Sequence, residues 1–124
     1  FEETDAALQR IREIALAFPG AAERVSHGRP NFFTTKTFCY YGGAKRGEVG
    51  QFRHDRAILI RPDTLDEPAL RQDPRFWEPA YLWNTGWLGI DLPHPDRDDP
   101  GWAEVAELID ASFRVTAPKT RARE

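Results

Sequence analysis

Residues 57–61, Ala57-Ile58-Leu59-Ile60-Arg61, and residues 87–91, Trp87-Leu88-Gly89-Ile90-Asp91, decide the fold. Both are short runs dense in β-branched and apolar side chains, the pattern of a strand. Successive side chains on a strand point to opposite faces. If Ile58, Ile60, Leu88 and Ile90 face one side, then Leu59, Arg61, Trp87 and Asp91 face the other.

The density of aromatic and β-branched residues predicts further strands near 29–34, 37–41 and 77–83, and another at 49–53. Turns fall at Gly42-Gly43 and Asn84-Thr85-Gly86, and a short helix at 65–72. The meander is bracketed by two amphipathic helices. Over 4–18, Leu8, Ile11, Ala15 and Phe18 recur at three- and four-residue spacing with Ile14 beside them. Thr4 is the expected N-cap, Asp5 suits the first turn, and Pro19-Gly20 stops the helix. In the closing helix Asp99 caps, Pro100 fits the first turn, and Trp102, Val105, Ile109 and Phe113 form the buried stripe.

This order implies an α+β two-layer sandwich: a single antiparallel sheet with the N- and C-terminal helices packed on one face. Ile58, Ile60, Leu88 and Ile90 should pack against Leu8, Ile11, Val105 and Ile109. The opposite face, carrying Trp87 and Leu59, is expected to be open.

The chain has 124 residues, read as one domain over 1–118 with a polar tail at 119–124. Ten prolines and nine glycines suit a strand-rich domain better than a helical bundle. The net charge of −3 argues against a protein dedicated to nucleic acid, which usually carries an excess of Lys and Arg. A lone cysteine, Cys39, excludes an intramolecular disulfide and any multi-cysteine metal cluster. No apolar run approaches the ~20 residues that span a bilayer, and no signal-peptide pattern is present. A cytoplasmic protein with no membrane partner is expected.

Phe18-Pro19-Gly20 with Glu23 after it, Gly28-Arg29-Pro30-Asn31-Phe32, Lys36-Thr37-Phe38, Pro79-Ala80-Tyr81 and Trp87-Leu88-Gly89-Ile90 follow one another in a familiar order. With the closing helix they resemble the MmcQ/YjbR family of small bacterial proteins. The resemblance implies a frataxin-like (CyaY-like) fold and, since members are described as DNA-binding, nucleic acid as a partner. It carries over no catalytic residue. Many members place Lys and His just before the late tryptophan, where this chain has Asn84-Thr85-Gly86.

Other motifs read as structural. Gly42-Gly43-Ala44-Lys45-Arg46-Gly47 has phosphate-loop glycine spacing, but Glu48 and Val49 stand where Lys and Ser/Thr should grip the phosphates. Asp96, Asp98, Gly101 and Glu107 fall on calcium-loop positions, but Pro100 supplies no side-chain oxygen at position 5. Ser26 and His27 are sequence neighbours that point apart in an extended segment, so they form no nucleophile–base pair. His54 and His94 are isolated, with no metal-ligand spacing. Cys39 reads as a buried structural thiol. No catalytic, cofactor or metal motif is present, and a non-catalytic role is expected.

Two groups remain as candidate sites. Lys45, Arg46, Arg53 and Arg56, with His54 and Phe52 among them, lie around one long hairpin loop and could hold phosphates and stack a base. The plainer reading is a solvated loop balanced by Glu48 and Asp55. Trp77, Tyr81, Trp83 and Trp87 cluster within a dozen residues. Trp77 reads as core. Trp87 with Leu59, Tyr81 and Trp83, and Arg29, Arg53 or Arg61 to pair an anionic group, would hold a planar aromatic ligand. Sequestration of such a molecule, weak nucleic-acid binding and a homodimer or other protein interface all fit.

Overall fold

The computed structural model describes residues 1–47, 53–95 and 98–117. Its elements are α1 (Ala6–Ala15), β1 (Ala22–Ser26), β2 (Arg29–Phe33), β3 (Thr37–Ala44), β4 (Arg53–Ile60) and α2 (Glu67–Gln72). After them come β5 (Phe76–Trp77), a 3-10 turn (Trp83–Thr85), β6 (Leu88–Asp91) and α3 (Gly101–Thr116). The expected strand at 49–53 lies outside the described residues except for Arg53. Glu48, Val49, Phe52, Asp96 and the tail at 119–124 lie outside them too.

All strands join one sheet in the order β1-β2-β3-β4-β6-β5, with every neighbouring pair antiparallel. Across β4 and β6, Ile58 pairs with Ile90 and Ile60 with Leu88. These four are buried in one cluster with Leu8 and Ile11 of α1 and Val105 and Ile109 of α3. The terminal helices therefore cover one face, as the alternation requires. Phe18, just past α1, stacks on Phe113 at 4.6 Å and meets Phe38 edge-on at 5.8 Å. Among the described residues no helix is long and apolar enough to cross a membrane.

Helix boundaries differ from the sequence reading for local reasons. Asp5, not Thr4, caps α1: its Oδ1 accepts the Ala7 N–H at 2.9 Å. Its Oδ2 also pairs with Arg56 at 3.3 Å, which ties the cap to β4. α3 starts at Gly101 with Pro100, not Asp99, at the N-cap, and the Asp99 carboxylate just before it accepts the Gly101 N–H at 2.7 Å.

The sequence reading has no counterpart of β1. Ala-Glu-Arg-Val-Ser shows no alternation, because β1 is an edge strand with no buried residue. It is held by a two-residue turn, His27-Gly28, both at positive φ, the geometry that joins antiparallel strands. It is also held by Arg12, whose Nε and Nη2 donate to the two Glu23 oxygens at 2.8 and 2.7 Å. That bidentate carboxylate raises the basicity of the Arg12 guanidinium.

The largest departure is β5, which is two residues long instead of a strand over 77–83. Pro79 lacks the N–H a strand interior needs. From Glu78 to Gly86 the chain leaves the sheet edge and pairs with the far end of β3. Ala80 N–H donates to Ala44 O at 2.8 Å, Arg46 N–H donates to Glu78 O at 2.7 Å, and Lys45 bridges Pro79. Residues 78–86 form a strap.

One buried polar group joins the two layers. Ser112 of α3 accepts the Arg61 N–H at 2.9 Å and donates its hydroxyl to Phe38 O at 2.5 Å. Ser112→Ala leaves the Arg61 N–H and the Phe38 carbonyl unpaired in the core, so it should lower unfolding stability by about 1–3 kcal/mol. Ile60→Ala should cost about 2–5 kcal/mol as a cavity. Urea denaturation of both variants checks the pair, and a neutral Ile60→Ala would contradict the core assigned here.

Candidate functional site

The second face of the sheet is not open. Leu59 pairs with Tyr40 on one side and Gly89 on the other, and Gly89 pairs with Trp77. Ala57, Leu59, Trp77 and Trp87 form a second buried cluster, with Tyr40 and Leu82 packed against it. Trp87 is 8% exposed and Leu59 6%, and neither lines the cavities described below. Trp87 meets Tyr40 edge-on, with ring centroids 5.2 Å apart. The strap supplies the cover through Leu82.

The other expected ligand contacts do not converge on Trp87. Arg29 is committed to Asp55 at 2.6 Å, and its Nη1 lies over Gly42, where a Cβ would stand 2.0 Å away. Arg61 is exposed beside Gly86, at an open, charged cavity of about 690 Å³ shared with Glu67, Arg71 and Glu78. Tyr81 is 94% exposed on the strap at a φ of 68°, a backbone conformation that favours glycine. The side chains of Trp83 and Arg53 lie outside the described part of the structure.

The basic loop group divides as well. Arg56 turns to the helix side and binds Asp5. Arg46 pairs with Glu78 at 3.3 Å, leaving Lys45 and Arg46 exposed along the strap. Cys39 is buried in the helix-face core, and burial pushes its thiol well above the usual range, as a structural cysteine requires. Among the described residues no three His, Cys, Asp or Glu side chains are placed to hold a metal ion.

What the fold does bring together is Trp77, His54 and Asp91. They line a cleft of about 530 Å³ between the β5–β6 edge and the start of α3, with Phe76, Val105 and Glu104 also in its wall. Trp77 is 7% exposed, and its indole Nε1–H is buried with no hydrogen-bond partner among the described residues. One edge of the indole lies directly on Gly89, where a Cβ would stand 2.5 Å from the ring. His54 stacks on it at 4.2 Å, and His54 Nδ1–H donates to Asp91 Oδ1 at 2.8 Å. At the cleft's rim Arg75 pairs with Asp73 and Glu104 at 2.9 and 2.7 Å. Arg75 in turn holds the Asp73 carboxyl below the usual carboxylate range.

Sequence reasoning assigned Trp77 to the core and left His54 isolated. The one available signal was Gly89. A glycine inside a strand, on the face shared by Trp87 and Asp91, marks close approach by something flat.

A family model described as YjbR matches residues 16–115. The chain belongs to the YjbR family. Two solved structures share the YjbR-type fold seen here. A Pseudomonas syringae protein superposes with a TM-score of 0.63 at 19% identity, covering 87% of this chain and 97% of that one. A Deinococcus radiodurans protein gives 0.60 at 15% identity, covering 91% and 80%. No curated protein matches the sequence.

Burial of Trp87 reverses the behaviour expected of an open-face residue. Trp87→Ala should destabilise the YjbR domain by about 3–5 kcal/mol, in the range of a core truncation. Equilibrium unfolding beside Ile60→Ala measures it, and a near-neutral Trp87→Ala would return Trp87 to the surface.

Proposed function

We propose that this YjbR-family chain is a non-catalytic, cytoplasmic binding protein that takes a small planar aromatic molecule into the cleft at Trp77. The observation that carries the reading is the Trp77 indole Nε1–H, buried without a partner among the described residues in a side chain that lines the cleft. Buried donors are nearly always paired, and one that is not calls for a reason. A ligand acceptor atom would satisfy it once the groups closed over the indole give way, while Phe76, Ile90 and Val105 supply apolar lining. His54 and Asp91 are paired in the same cleft, but the described lining residues include no hydroxyl or thiol for them to activate, which favours binding over acyl-transfer chemistry.

Quinoline, flat and carrying an acceptor nitrogen, is a suitable probe. In protein-observed NMR it should shift the Trp77 indole N–H signal and those of Val105 and Ile90. Trp77→Phe keeps a ring but removes the donor, and loss of one hydrogen bond of about 1 kcal/mol should weaken binding about fivefold. Shifts confined to other surfaces, or equal affinity in the variant, would overturn the proposal.

A second reading, nucleic acid, keeps one specific support. Pairing of residues 44–46 with 78–80 sets exposed Lys45 and Arg46 on the same short ladder that leads into exposed Tyr81. Basic groups beside an aromatic suit a flexible single strand. Binding should then be weak and salt-sensitive, with a log–log slope of about 0.7 per phosphate contact. Titration of a labelled oligonucleotide with wild type and a Lys45/Arg46/Tyr81 triple-alanine variant decides it; affinity unchanged in the variant removes the reading. Self-association was argued from an open Trp87 face, which the strap covers, and it forms no part of this proposal.

A further inference from the structure

The stacking face of Trp77 is already occupied by a group of the protein's own. His54 lies over the indole with centroids 4.2 Å apart and planes 28° apart, and its N–H is given to Asp91. The indole cannot retreat, because its benzo edge rests on the Gly89 backbone. Asp91 sits in β6 opposite Ala57, and its carboxylate is largely in water. The arrangement is a fixed flat floor, a carboxylate at its side, and a small planar N–H heterocycle resting between them. Imidazole is attached through two rotatable bonds, so a change of rotamer takes it off the indole.

Two of the neighbouring charges are engaged elsewhere. Arg75 is taken by Asp73 and Glu104, and the Asp99 carboxylate accepts the Gly101 N–H. Lys45 lines the cleft as well. Asp91 is therefore the group that selects at the stacking face, and it selects for a donor.

Resting on the reading that this cleft binds a small molecule, we infer that Trp77 and Asp91 form a seat for a planar nitrogen heterocycle. The ligand stacks on the indole and donates an N–H to the Asp91 carboxylate. His54 is the seat's own plug, holding the place and the hydrogen bond until a ligand of the same chemistry displaces it. Such self-occupancy lowers apparent affinity by the fraction of time the seat is vacant.

Benzimidazole, which has the flat face and the N–H, is the probe, read by calorimetry and by the NMR signals of Trp77. His54→Ala empties the seat and should bind benzimidazole about tenfold more tightly than wild type, the gain expected where the seat is vacant about a tenth of the time. Adding Asp91→Asn to that variant should weaken benzimidazole binding, and N-methylbenzimidazole, which has no N–H, should bind that variant more weakly than benzimidazole does and be indifferent to Asp91→Asn. In wild type at saturating benzimidazole the His54 ring signals should move to those of a solvated imidazole, a readout that holds even where His54→Ala fails to fold. His54 signals that stay in place, or equal affinity in His54→Ala and wild type, overturn the inference. If quinoline still binds at Trp77 in that case, the cleft remains a ligand site and only the plug is wrong; if neither probe shifts the cleft, both readings fall.

Discussion

Four consecutive residues of β4, Ala57 to Ile60, are buried, and the rest of the structure follows from that constraint. A strand points alternate side chains to opposite faces, so four consecutive buried residues need a sheet covered on both sides at that end. The helices cover Ile58 and Ile60. Ala57 and Leu59 need cover of their own, and Trp87 adds a large ring to the same face. Bare, that cluster would be a contiguous apolar patch of the kind monomeric proteins rarely leave in water. The chain between β5 and β6 is what remains to shield it.

The strap does so with little apolar surface. Leu82 is the described strap residue that packs on the cluster, and much of what positions the strap is polar. The Glu78 carboxylate accepts from Arg46 and from Arg71, and Arg71 also reaches Glu67 in α2. Two backbone hydrogen bonds fasten the strap to the end of β3. Tyr81 stays in water at a positive φ, and Gly86 at a φ of 92° returns the chain to β6. A tyrosine held at positive φ and left unburied gains little from the fold, so the strap's course is set by its fastenings and by the need to reach Trp87 from β5.

The layer arrangement was legible because it depends on period. Alternation in 57–61 and 87–91 gives the sheet face, and three- and four-residue spacing gives the helix stripes; both survive in the structure, with Phe18 alone falling just past the end of α1. What failed was an inference about the face left over. The reading of Leu59 and Trp87 as outward was right, but outward from the helices is not outward to solvent when another segment lies there. Nothing in the strap's sequence announces that position, since Glu-Pro-Ala-Tyr-Leu reads equally as a strand with a poor start. β1 was missed for a related reason: an edge strand with no buried residue carries no periodic signal. The site residues Trp77, His54 and Asp91 come from β5, β4 and β6, and only their order in the sheet makes them neighbours.

The second core and the cleft meet at one residue. β5 begins at Phe76 opposite Ile90, and the cleft lies at that end of the short ladder, where Pro74 and Arg75 lead into β5 and Asp91 to Pro93 leave β6 beside the start of α3. Trp77 belongs to both. Its benzo edge rests on Gly89 as part of the second core, while its ring also walls the cleft and carries His54. A side chain at position 89 would lift the indole and disturb the packing over Leu59 and the cleft wall together. The aromatic chemistry that the sequence suggested for the middle of the sheet is thus used there for cohesion, and the cleft proposed as a site lies at the edge.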